Sequence, residues 1–232
     1  REFGKILNAL NKVSETPFTE AIPKVIELTG SEKPKIRIAA VETLKAYGEI
    51  IIPDLAESLN SPNDNIKNSA LELLINIGKP ALPAMKRVLK EGDSFTKVSV
   101  IGVLGAIGDK NVTIDLAKFL DSENPNLQIA SATALGKLHA DEVIGKLSRL
   151  LKSKNQLVKV AAVKALSDIG NPDMTDVIIS NMKPNDDPEY LTSAMETIEK
   201  IGRKRLKISW AMGTLYPIFS YKDADIRVRA KA

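Results

Sequence analysis

The sequence predicts an all-α fold, an α-solenoid of about six to seven stacked helical hairpins, from three observations. A thirteen-residue pattern returns in steps of 30 to 32 residues, as IRIAAVETLKAYG (Ile36–Gly48), IKNSALELLINIG (Ile66–Gly78), TKVSVIGVLGAIG (Thr96–Gly108), LQIASATALGKLH (Leu127–His139), VKVAAVKALSDIG (Val158–Gly170) and YLTSAMETIEKIG (Tyr190–Gly202). Within each copy the apolar residues fall at helical spacing. Each copy closes on glycine, or once on His139, residues that take the left-handed conformation ending a helix more readily than others. A fixed period near 31 residues is the signature of helical pairs that bury their faces against their neighbours.

Taken in order, residues 1–13 look like the second helix of a repeat whose first helix is missing. Ser14–Thr19 reads as a connector, with Ser14 or Thr16 placed to cap a helix and Pro17 suited to its first turn. Six repeats follow, at about 20–48, 50–78, 80–108, 112–139, 142–170 and 173–202. Pro23, Pro53 and Pro83 share one slot, the first turn of the leading helix (helix A), where backbone N–H groups lack helical partners. Ile114 and Gly145 replace that proline in the next two repeats, yet Leu116, Phe119, Leu120 and Leu147, Leu150, Leu151 keep the apolar face seen at Leu55 and Leu59 or Met85, Val88 and Leu89. The turns to the second helix (helix B) are polar and rich in turn formers: SPNDN, EGDS, DSENPN, KSKN and KPNDDP. After Gly202 the spacing breaks, and a partial unit is expected at 210–232. A half repeat before and an unfinished one after make both ends look cut from a longer array.

Hydrophobic residues at 44% and charged ones at 27% suit a folded, soluble chain rather than a disordered one. Cysteine is absent, which excludes disulfides and thiolate metal sites and agrees with a cytoplasmic, intracellular setting. No apolar run approaches the roughly 18 residues of a membrane span, so no membrane insertion is expected. The net charge of +4 is uneven: residues 203–232 carry eight Lys or Arg against two Asp, and residues 1–202 are slightly acidic.

The stretch from Ile52 to Gly78, IPDLAESLNSPNDNIKNSALELLINIG, resembles the HEAT family, and within it the short, regular phycobilisome-lyase-type repeat. The resemblance covers almost the whole chain. It implies a right-handed superhelix with A helices outside and B helices lining a concave face, and a role in binding or scaffolding more often than in catalysis.

Catalytic readings fail on inventory. HEAT-type hydroxylases need several histidines to hold iron, and His139 stands alone in a slot where the other repeats have glycine. No glycine-rich phosphate loop or nucleophile–base pair is recognisable, so neither enzyme activity nor a cofactor is expected. A row of cations, Arg37, Lys67, Lys97, Lys159 and Arg227, occupies the second position of the B pattern, interrupted by Gln128 and Leu191. It offers a positive edge for an acidic partner, or it pairs with carbonyls and with Asp64, Asp93, Asp187 and Asp225 in the A–B turns; the second use is favoured. The basic run Arg203, Lys204, Arg205 and Lys207 beside Trp210 is either a phosphate or acidic-protein contact or a solvated connector. Gly102, Gly105 and Gly136 sit inside B helices, where glycine costs about 1 kcal/mol relative to alanine. Close helix packing or a shallow groove would account for them.

The expected function is a non-catalytic scaffold that holds another protein along its B helices or turn edge, with Glu42, Glu72 and Lys164 as exposed B-helix contacts. Nucleic-acid binding through the basic C-terminal region is the alternative. A tubulin-binding array is disfavoured because Gly30–Pro34 lacks tryptophan. A HEAT-like DNA-repair enzyme is disfavoured because only Tyr47 and Tyr190 are aromatic among the B helices.

Overall fold

The computed structural model describes residues 2–183 and 186–202. Arg203, Lys204, Arg205, Lys207, Trp210, Arg227 and the partial unit at 210–232 lie outside the described residues. Among the described residues there are thirteen α-helices joined by short 3-10 turns, in two compact units that meet at Ile107 and Gly108 in the chain. The first unit opens with α1 (Glu2–Glu15) and continues with three hairpins: α2 (Ile22–Leu28) with α3 (Pro34–Lys45), α4 (Ile52–Ser58) with α5 (Asp64–Ile77), and α6 (Leu82–Glu91) with α7 (Ser94–Ile107). The second unit holds α8 (Thr113–Ala117) with α9 (Pro125–Lys137), α10 (Ile144–Leu150) with α11 (Gln156–Ile169), and α12 (Met174–Ser180) with α13 (Pro188–Gly202). Each unit is all-α solenoid in build.

Packing runs from B helix to B helix. In the first unit α1 lies against α3, α3 against α5 and α5 against α7; in the second, α9 lies against α11 and α11 against α13. The leucine at the ninth position of the pattern anchors this stack: Leu44, Leu74 and Leu104 in one unit, Leu135 and Leu166 in the other, all fully buried. Burying such a side chain contributes about 1.5–3 kcal/mol. α1 packs on α3 as the B helices pack on one another, with Leu10 buried and its carbonyl accepting from the Thr43 hydroxyl at 3.4 Å.

The ends of the helices follow local chemistry. Asn63, Asn124 and Asn155 cap α5, α9 and α11 through their side-chain oxygens. The residue two before each, Ser61, Ser122 or Ser153, accepts the asparagine's own N–H and fixes the turn. Asp93 takes the cap's place at α7 and Asp187 at α13. At the other end Gly48, Gly78, Gly108 and Gly170 have φ between 60° and 78°. His139, at φ 48°, is the non-glycine residue that shares this conformation among those described. Its N–H bonds the Gly136 carbonyl and the Ala140 N–H bonds that of Leu135, a Schellman closure. The ring earns its position as well, since Nδ1 lies 2.6 Å from the Asp168 carbonyl at the end of α11 and donates to it.

Two expectations need correction. Ser14 and Thr16 do not cap a following helix: α1 runs through Glu15, and the Thr16 hydroxyl donates back to the Lys12 carbonyl. The mid-helix glycines have different causes. A Cβ on Gly136 would lie 2.8 Å from the Ala165 Cα, so this glycine sets the close approach of α9 and α11. A Cβ on exposed Gly102 would meet nothing within 4 Å, so close packing does not explain it.

The helix ends generate an ordering. Gly78, at φ 75° and ψ −135°, lies outside the left-handed helical well that Gly170 occupies at ψ 18°. Gly78→Val is expected to lower stability by about 1–2 kcal/mol or more, and Gly78→Ala to cost more than Gly170→Ala, in urea denaturation. At His139, the glycine variant should lose only the ring contact, whereas alanine should lose the contact and keep the strained φ; H139A is therefore expected to be the less stable of the two.

Candidate protein-binding surface

The burial of positions five, eight and nine of each B helix turns the seventh position outward by helical geometry. Glu42, Glu72 and Gly102 are exposed there in the first unit, and Thr133, Lys164 and Glu196 in the second. One turn further on, the eleventh position is exposed too: Ala46, Asn76 and Ala106, then Lys137, Asp168 and Lys200. This rank contains three of the residues singled out from sequence, Glu42, Glu72 and Lys164. Its charges are mixed and partly matched. Lys45 meets Glu42 at 2.7 Å, Lys164 meets Glu189 at 3.7 Å, and Lys200 meets Asp168 at 3.7 Å. The hydrogen bond that Lys45 donates to Glu42, with added field from Glu42 and Glu72, holds the ammonium above its ordinary range against the opposing effect of desolvation. Tyr47 and Tyr190, the two aromatics expected on this face, are instead buried in the stack.

Between the C-terminal halves of α3 and α5 the surface opens into a cleft of about 270 Å³. Leu44, Ile51 and Leu73 form its floor, each nearly inaccessible, and Ile77 its side. Lys45, Glu49 and Asn76 line the rim, and Gly48 leaves the mouth open because a Cβ there would touch nothing within 4 Å. The adjoining residues Ile50 and Ile75 are large apolar side chains left 51% and 39% exposed. A wider hollow of about 500 Å³ on the A-helix side has an acidic border of Glu27, Asp54 and Glu57.

Three cations of the row, Arg37, Lys67 and Lys159, are spent on the turns. The Arg37 guanidinium donates to the carbonyls of Ser31 at 2.7 Å and Glu32 at 3.2 Å. Lys67 pairs with Asp64 at 2.8 Å and lies 4.8 Å from the centroid of the Phe95 ring in the next repeat. Gln128, an interruption in the row of charges, does the same work by donating to the Leu120 carbonyl at 3.3 Å. Lys97 is half-buried and makes no ion pair among the described residues.

Lys159 departs furthest from expectation. Its partner is Asp186, not Asp187, because the Asp187 carboxylate is engaged by the N–H groups of Glu189 and Tyr190 at the start of α13. The pair is also buried rather than exposed: Lys159 and Asp186 meet at 2.5 Å with side chains 6% and 10% accessible, and the ammonium sits 3.8 Å from the Tyr190 ring centroid. Burial, then the nearby Asp186 charge, pushes the Tyr190 phenol far above its usual range, and its hydroxyl finds no partner among the described residues.

Two carboxylates are depressed. Backbone and side-chain hydrogen bonds from Thr96, a further one from Phe95 and the Lys67 charge lower Asp93. A hydrogen bond from Lys146, then the charges of Lys146 and Arg149, lowers Asp121. Lys146 also donates to the Ala117 carbonyl at 3.1 Å, tying α10 to the turn of the preceding repeat.

Sequence reasoning missed Gly30, where a Cβ would lie 2.8 Å from both Asn63 Nδ2 and Ile66 Cγ1. Only glycine lets that turn meet the next, whose Asn63 amide donates to the Gly30 carbonyl. Its place in a polar turn hid it among ordinary turn formers. The cleft was missed as well, since its floor is made of residues that read simply as core.

Residues 115–199, from α8 to α13, match the family model for HEAT repeats. That stretch is similar to HEAT repeats. Over 185 residues the chain is 26% identical to the uncharacterized phycocyanin operon protein Z of Pseudanabaena tenuis (strain PCC 7409), covering 76% of this chain and 89% of that one. Among solved structures it is similar to the complex of CpcE and CpcF of phycocyanin lyase from Nostoc sp. PCC7120, at 19% identity and TM-score 0.43, covering 91% of this chain and 87% of that one. It is similar also to an engineered protein, at 18% identity and TM-score 0.44 with 98% of each chain covered.

The buried pair and the depressed carboxylate each yield an expectation. Lys159→Met strands Asp186 without its cation and should cost about 3–5 kcal/mol in urea denaturation, most of it recovered in Lys159→Met/Asp186→Leu. Asp121 has a lowered folded pKa, so its contribution is present above the unfolded value of about 3.9 and is lost as pH falls through the folded one. Asp121→Asn should flatten the acid limb of a stability-against-pH curve.

Proposed function

We propose that this HEAT-like array is a non-catalytic, cytoplasmic scaffold that binds another protein through the exposed ranks of its B helices, without a cofactor. The observation that carries this reading is the separation of roles along those helices. Positions five, eight and nine hold the stack together, while positions seven and eleven face outward and contribute little to it. The mixed signs of Glu42, Lys45, Glu72, Lys164 and Glu196 suit a protein surface better than a polyanion. The cations Arg37, Lys67 and Lys159, once candidates for an acidic ligand, are taken up by turn carbonyls and carboxylates. The relative named for a phycocyanin operon supports a phycobiliprotein as the partner.

The test is direct binding of purified phycocyanin subunits to the immobilised chain. Binding is expected, and Glu42→Arg, Glu72→Arg or Lys164→Glu should each weaken it about tenfold with the thermal midpoint little changed. Duplex DNA should bind weakly. Tight binding of DNA whose log affinity falls with log salt at a slope near −0.9 per neutralised phosphate would favour the basic 203–231 segment instead.

A further inference from the structure

We propose that the cleft between α3 and α5 is the seat of a cationic amphipathic segment of the partner protein, which inserts an aliphatic side chain over Leu44, Ile51 and Leu73. This deepens the scaffold reading and rests on it. The cleft has the build of an anchor pocket: an apolar floor belonging to the rigid stack and an open mouth at Gly48. Ile50 and Ile75, next to its rim residues in the chain, remain half exposed, an apolar surround that water does not favour. Amphipathic helices dock in such grooves by placing residues at i, i+3, i+4 and i+7 against the apolar floor.

Charge selects the occupant. Glu49, in the turn after α3, lines the cleft, Glu42 on α3 and Glu72 on α5 are exposed on the helices that flank it, and Lys45 is the one lysine among its lining residues. Its ammonium is already matched by Glu42 at 2.7 Å and also feels the field of Glu72, so one cation faces three carboxylates, and Glu49 is in no ion pair among the described residues. An approaching acidic or phosphate-bearing ligand would meet like charge. A segment with lysine or arginine flanking its aliphatic anchor would place opposite charge on the rim, where complementarity raises the encounter rate and rejects wrong partners.

The probe is a fluorescein-labelled peptide of about fourteen residues, leucine on one helical face and lysine on the other, with a matched peptide carrying glutamate in place of lysine. Fluorescence anisotropy on the full chain should show the lysine peptide binding at least about tenfold more tightly than the glutamate peptide. Asn76→Trp, which fills the cleft from an exposed rim position, and Glu49→Lys/Glu72→Lys should each weaken the lysine peptide by about tenfold or more, with circular dichroism unchanged. Lys164→Glu, in the other unit, should leave it unaffected. Equal binding of the two peptides, or binding that survives Asn76→Trp, would overturn the proposal. Phycocyanin binding separates this failure from that of the scaffold reading. If N76W leaves phycocyanin binding intact while Glu42→Arg and Lys164→Glu weaken it, the cleft assignment falls and the scaffold stands. If the peptide obeys the cleft variants and phycocyanin does not bind, the reverse holds.

Discussion

A helical hairpin of about thirty residues has too little interior to bury a second helix on its own. Within each unit a B helix is covered by the B helix of the next repeat, and the ninth-position leucines are fully buried in that contact. Everything else serves this stacking. The distance between neighbours must be short, and Gly136 against Ala165 and Gly30 against Asn63 show two places where it is limited by a single missing methyl group. The direction of each helix must reset every thirty residues, which the positive-φ residues accomplish. Polar groups left at the turns must find partners, and Arg37, Gln128, Lys146 and Lys159 supply them across turn or repeat boundaries.

The hairpins were legible because their signals are periodic. A residue that recurs every 31 positions reveals its role by repetition, so the apolar face, the proline slot and the terminal glycine could be placed without coordinates. His139 could be placed for the same reason, although its ring contact with Asp168 could not. What stayed hidden depends on distances between repeats. Asp186 and Asp187 are adjacent and chemically alike, and only the geometry of the last turn makes one a cap and the other the counter-ion of a buried lysine. Gly102 and Gly136 occupy similar contexts in sequence, yet one faces solvent and the other a neighbouring backbone.

The candidate surface was legible in part. Helical spacing identified Glu42, Glu72 and Lys164 as outward-facing, and they are exposed. The cation row drew attention because charge is easy to see in a sequence, but Arg37, Lys67 and Lys159 spend their side chains on the A–B turns. The cleft drew none, because Leu44, Ile51 and Leu73 are ordinary core residues. They become a surface feature only through the cleft between α3 and α5, which Lys45, Gly48, Glu49 and Asn76 border.

The outward rank at position seven has a consequence for how such a chain changes over time. In the six repeats it holds Glu, Glu, Gly, Thr, Lys and Glu, residues that differ in charge, size and helix propensity, while the leucine or isoleucine two positions later hardly varies. Within this one molecule, then, the outward site has drifted freely through six copies of the same frame. Stacking and the outward residues occupy different faces of one helix, so the second can be rewritten with little disturbance to the first. A repeat duplicated into a new place would bring its stacking surface ready-made and its outward residue as raw material.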